Sequence, residues 1–157
     1  MLPKIYIETS VVSYLTARPS RDEIAAVHQR LTRDWWNQRR ARFEIYVSEV
    51  VVQEASRGDA AAAEERLKAL SGYPVIRINA AARDLAETIL RGNVLPAKAA
   101  ADALHIALAA VSGMNFLLTW NCTHIANGFV LQSVNTMCRD AGFESPLVCT
   151  PEELMEG

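Results

Sequence analysis

Apolar positions along the chain follow two spacings. Unbroken short runs at residues 4–7, 43–47, 75–78, 115–119 and 147–149 predict strands. The first, Lys-Ile-Tyr-Ile, is apolar on both faces, as a central strand of a parallel sheet is. Between these runs, apolar residues recur every three to four positions and predict helices. One helix should run from about residue 21 or 22 to 38 with Ile24, Val27, Leu31 and Trp35 as its buried stripe, and another over 125–139 with Phe129, Val130, Val134 and Met137 inward. Ser10, Ser48, Asp59 and Asn79 stand where N-caps belong, Gly58, Gly92 and Gly142 where helices close, and Pro96 in a first turn. Strands alternating with helices predict an α/β fold, a three-layer α/β/α sandwich with a mainly parallel sheet of about five strands. No internal repeat, low-complexity tract or linker interrupts the pattern, so residues 1–157 are read as a single domain.

One stretch breaks the pattern. Residues 99–124 predict a helix that is apolar nearly all round, a stop at Gly113, a strand, and a polar corner at Thr119, Trp120 and Asn121. Asp102 sits in the first turns of that helix among alanines, leucines and Ile106. A charge in such surroundings must be paired or must coordinate something. The corner after the strand lies where open parallel sheets bind ligands, at the carboxyl ends of their strands.

Composition narrows the classes. Half the residues are hydrophobic and 22% are charged, which excludes a disordered chain. The formal charge of -2 argues against a dedicated non-specific nucleic-acid binder and leaves room for a local basic patch. Arg far outnumbers Lys, and Arg is the cation suited to bidentate phosphate contact. Three scattered cysteines, Cys122, Cys138 and Cys149, make no disulfide framework and point to a reducing, cytoplasmic setting. No leader is apparent at the N-terminus, and no apolar run approaches the roughly 20 residues of a membrane span, so no membrane association is expected.

The acids can then be placed on this framework. Glu8 ends the first strand, Glu54 lies on the helix after the second, Asp102 on the helix before the fourth, and Asn121 just beyond that strand. In a parallel sheet these positions can converge on one edge. Carboxylates gathered in a cleft repel one another unless a divalent cation neutralises them. Oxygen ligands select Mg²⁺ or Mn²⁺. Such an ion binds phosphate and acidifies its bound water, so the chemistry implied is metal-assisted phosphodiester hydrolysis.

Four blocks carry a family resemblance: Lys-Ile-Tyr-Ile-Glu8-Thr-Ser, Val-Ser-Glu49-Val-Val-Val-Gln-Glu54, Ala-Asp102-Ala-Leu-His-Ile-Ala, and Phe-Leu-Leu-Thr-Trp-Asn121. In that order and spacing the chain resembles PIN-domain nucleases, and in size the single-domain VapC-type toxin ribonucleases. The resemblance implies a Mg²⁺- or Mn²⁺-dependent endoribonuclease with an RNA substrate, a small antitoxin protein as partner, and a homodimer. It matches Glu8, Glu54 and Asp102 to the three usual acids. Two positions depart from the family: Glu8 stands where Asp is usual, and Asn121 where many members have a fourth Asp. An amide oxygen can still ligate Mg²⁺ or orient its water but brings no charge, so one well-held metal is expected. Thr9 and Thr119 are candidates for orienting the ligands.

Each candidate also has a plainer reading. Glu49 competes with Glu54, Asp102 has Lys98 one turn away as an ion-pair partner, and Asn121 suits a turn. His105 reads as a core or cleft histidine with a hydrogen-bonded ring, and Cys122 and Cys138 as small buried hydrophobes. Cys122 and His124 without a second matched pair are a poor zinc signal. The segment with Trp35, Trp36, Arg39, Arg40 and Arg42 could stack on and grip RNA, but it reads better as a packed helix end with a solvated basic face, with Trp36 left without a role; Arg18 and Arg21, in the loop beyond Glu8, are the better RNA-contact candidates. The helix at 60–70 and its neighbours are candidates for an antitoxin or dimer face. The alternative function class is a catalytically impaired PIN-like module that binds RNA or a protein. A third is a hydrolase of another phosphate ester or of DNA.

Overall fold

In the computed structural model, which describes residues 1–157, the run Ile5, Tyr6 and Ile7 is fully buried at the centre of a five-stranded sheet. The strands are β1 (Lys4–Ile7), β2 (Glu44–Ser48), β3 (Val75–Ile76), β4 (Phe116–Leu118) and β5 (Leu147–Cys149). All pair in parallel, in the order β3-β2-β1-β4-β5. Tyr6 lies level with Tyr46 on one side and Leu117 on the other. The chain leaves β1 in one direction to reach β2 and later returns to its other side as β4, so the strand order reverses between β1 and β4. A crevice opens at the carboxyl ends of the strands at such a reversal.

Seven helices make the connections: α1 (Thr9–Thr16), α2 (Glu23–Gln38), α3 (Glu49–Ala55), α4 (Ala60–Leu70), α5 (Ala80–Arg91), α6 (Ala100–Val111) and α7 (Gly128–Asp140). Right-handed crossovers put α1 to α4 on one face of the sheet and α5 to α7 on the other. Accordingly α1 packs on α2, α3 and α4, while α5 packs on α6 and α7. Three anticipated caps are in place: Ser48 Oγ accepts from Val51 N, Asp59 Oδ2 from Ala62 N, and Asn79 Oδ1 from Ala82 N. Each satisfies a donor left open in a first turn. Gly113, at φ +71°, takes the left-handed conformation that stops α6 and turns the chain into β4.

Several expectations from periodicity are corrected. In α2 the buried face is Gln29, Thr32, Trp35 and Trp36, while Ile24 is 70% exposed and Val27 38%. The helix is turned by its polar residues. Gln29 Nε2 donates to Arg18 O and its Oε1 accepts from Ser20 N, stapling the loop after α1, and Thr32 Oγ1 accepts from Trp120 Nε1 at 2.7 Å. In α7 Val130 and Val134 are buried as expected, together with Cys138, and Met137 is half-buried, but Phe129 at the start of the helix is exposed. β3 spans two residues, and Ser10 caps nothing, because α1 begins at Thr9 with Glu8 in the cap position. Cys122 is exposed on the corner after β4. Trp36 packs edge-on against Tyr73 with the Arg40 guanidinium 4.8 Å from its ring, and Arg39 Nε donates to Met155 O, so this basic segment secures the C-terminal residues. No helix is long and apolar enough to cross a membrane.

Candidate active site

Glu8 leaves the carboxyl end of β1 and is only 5% exposed. Its Oε1 accepts hydrogen bonds from Thr119 Oγ1, just past β4, at 2.6 Å, and from Ser10 Oγ. Ser10 Oγ in turn accepts from Trp120 N, so the ends of β1 and β4 are cross-linked beside the acid. Glu54, near the end of α3, accepts at Oε1 from Thr9 Oγ1 and from His105 Nε2, both at 2.6 Å. Donor atoms of Glu8, Glu54 and His105 lie within 4.8 Å of one another. Glu49, the competing acid, is occupied elsewhere: its Oε1 accepts from Ile78 N.

Neither Glu8 nor Glu54 pairs with a lysine or arginine. Every hydrogen bond to these two carboxylates ends on Oε1. Neither Oε2 has a protein partner, and neither is sealed from solvent. Burial by itself would push the Glu54 carboxyl up. Hydrogen bonds from His105 and Thr9 and the charge of Arg57 act against it, and the group is held below its ordinary value. Two neighbouring acids, the second held ionised, each with one uncommitted oxygen, make a donor set that fits a hard divalent cation.

Asp102 stands beside this cluster without belonging to it. It lies on the same face of α6 as His105, one turn earlier. Its Oδ1 accepts from Asn121 Nδ2 at 3.1 Å and its Oδ2 is bonded to His124 Nδ1 at 2.8 Å. Asn121 Oδ1 also accepts from His124 N. Asn121 therefore closes the turn after β4 and holds Asp102 with the same side chain, and Lys98 makes no ion pair with Asp102. Each Asp102 oxygen keeps one further lone pair free of protein partners. Arg18 and Arg21 are exposed in the loop after α1, and Arg18 lines a cavity of about 490 Å³ with Asp59, Glu65 and Arg66.

The structure adds groups that sequence reasoning missed. The sequence marks Ser10 only as a cap, and His105 as a core or cleft histidine without identifying its partners. Its Nδ1 is 2.6 Å from the Tyr6 hydroxyl, which is 2.7 Å from Ser48 Oγ, and all three residues are fully buried. The usable signal was Tyr6 itself, since a phenol in the middle of a central strand must find a partner for its hydroxyl.

A family model described as the PIN domain matches residues 5–121. Among solved structures, the chain is similar to VapC20 of Mycobacterium tuberculosis, a toxin described as cleaving the sarcin-ricin loop, with TM-score 0.59 and 16% identity over 89% of this chain and 96% of that one. It is also similar to VapBC2 of Rickettsia felis, solved bound to a DNA fragment from its promoter, with TM-score 0.58 and 13% identity over 93% of this chain and 97% of that one. At these identities the two structures establish a shared fold. No curated protein sequence matches the chain. The matched segment begins in β1 and ends at Asn121, enclosing all four candidate residues, and the chain belongs to the PIN-domain family.

Proposed function

We propose that this chain is a metal-dependent endoribonuclease, the toxin of a toxin-antitoxin pair. The observation that carries this reading is the meeting of Glu8 and Glu54 at the carboxyl edge of the sheet, each with Oε2 uncommitted, in a PIN-domain chain. Glu8, Glu54 and Asp102 would hold Mg²⁺ or Mn²⁺. When bound, the ion offsets charge on the scissile phosphate and lowers the pKa of a water. The protein's part is orientation. Thr119 and Ser10 fix Glu8, Thr9 and His105 fix Glu54, and Asn121 and His124 fix Asp102. Arg18 and Arg21, exposed in the loop after α1, would meet the RNA backbone. The antitoxin and homodimer are proposed from the family and from the VapBC2 likeness.

Purified protein incubated with RNA, single-stranded DNA and structured DNA, with and without Mg²⁺ or Mn²⁺, tests the reading. RNA cleavage that needs the metal supports it, and cleavage confined to DNA overturns it. Asp102 supports a second reading, a module that binds without cutting, because both its oxygens are engaged within the protein. Failure to bind Mn²⁺ near millimolar concentration would favour that module. A small DNA-binding protein encoded in the adjacent reading frame would support the toxin role.

A further inference from the structure

We propose that His105 is a positioning residue for the metal site: Tyr6 and Ser48 fix its ring in one tautomer, and its Nε2–H holds Glu54 by Oε1, leaving Oε2 for the cation. This rests on the metal-dependent reading of the site, in which His105 holds Glu54, and brings in Tyr6 and Ser48, two buried residues that reading does not use.

The chain of contacts has one consistent hydrogen-bond assignment for a neutral ring. Nε2 faces an ionised carboxylate at 2.6 Å and must donate, so the ring hydrogen sits on Nε2. Nδ1 is then an acceptor, and the Tyr6 hydroxyl, 2.6 Å away, donates to it. Ser48 donates to the Tyr6 oxygen at 2.7 Å and accepts from Val51 N at 3.2 Å. Ser48 is itself the N-cap of α3, the helix that carries Glu54, so the relay starts and ends on one element. His105 is therefore tied at both nitrogens and has no exposed surface, which makes it an orienting group for a ligand and not itself a ligand. A buried polar chain of this kind adds little stability over an apolar core of the same shape. What it supplies is direction, as hydrogen-bonded partners behind metal ligands do.

The test measures Mn²⁺ binding by calorimetry for the unmodified protein, His105→Gln, His105→Leu and Tyr6→Phe, with urea unfolding of each. Gln offers an amide donor for Glu54 and an oxygen for Tyr6, so His105→Gln should retain most of the affinity. His105→Leu should lose about tenfold or more. Tyr6→Phe, which leaves the ring packing intact, should weaken binding by a smaller factor. Nitrogen NMR of the metal-free protein should find Nε2 protonated in the unmodified chain and a tautomer mixture in Tyr6→Phe. A structural role alone would lower unfolding stability with Mn²⁺ affinity unchanged, and that result overturns the proposal. So does a ring protonated on Nδ1, or a spin-echo signal of directly bound imidazole that vanishes in His105→Gln. If the unmodified protein binds no Mn²⁺, the metal-dependent reading falls, and the positioning role with it. If it binds and all three variants bind equally, only the positioning role falls.

Discussion

Asp102 and His124 are joined through Oδ2 and Nδ1 at 2.8 Å, so the acid on α6 is anchored to the turn that follows β4. The anchor does not need the negative charge, whereas a cation does. Asp102→Asn should therefore keep the fold and its Tm within a few degrees while RNA cleavage falls by about a hundredfold or more, beyond the loss typical of an outer partner. Parallel cleavage assays and thermal unfolding check it. A variant that cuts RNA like the parent would remove Asp102 from the site.

Glu8 stands where the family usually has Asp, and its longer side chain is what reaches Thr119 and Ser10. Glu8→Asp should draw the carboxylate back from both donors and cost about 1–3 kcal/mol, because the buried Thr119 hydroxyl and the half-buried Ser10 hydroxyl are left without their acceptor. Cleavage should fall as well. Urea unfolding and a cleavage time course measure the two effects. Activity at or above the parent's would mean that the extra methylene is not used for reach.

The metal-free protein should lose stability in acid through Glu54. Its pKa is lowered in the folded state, so the unfolded chain binds the proton more readily. The resulting stabilisation is present above the ordinary value of 4.5 and disappears as pH falls through the lower folded value. In urea titrations from neutral pH into that range, Glu54→Gln should flatten the curve. An unchanged slope would exclude Glu54 as a contributor.

Metal should stabilise the fold by relieving repulsion between Glu8 and Glu54. Mn²⁺ at a hundredfold excess over Kd adds about 2.7 kcal/mol, a rise in Tm of several degrees. Chelation by EDTA should reverse the shift and stop cleavage together. A Tm insensitive to both would count against a site at these acids.

Much of this arrangement was legible in the sequence because strands, caps and strand-end acids are local features. The run Lys4–Ile7 marked the central strand, and Ser48, Asp59 and Asn79 marked helix starts. What stayed hidden was decided by partners far along the chain. The face of α2 was misread because Gln29 and Thr32 are buried by bonds to Arg18, Ser20 and Trp120, which no hydrophobic period records. Phe129 fits the apolar spacing of α7, yet its side chain faces outward. The link from Thr9 to Glu54 likewise joins α1 to α3, although sequence adjacency would pair Thr9 with Glu8.

The bond between Glu8 and Thr119 spans 111 positions. An emerging chain can bring the first acid to its supporting hydroxyl only after β4 has been synthesised and has docked beside β1, long after β1 itself has left the ribosome. Closure of so distant a contact belongs to the late steps of folding. For a nuclease the order matters: the site is assembled only when most of the chain is complete, so a truncated or half-made product carries the acids but not the assembled site.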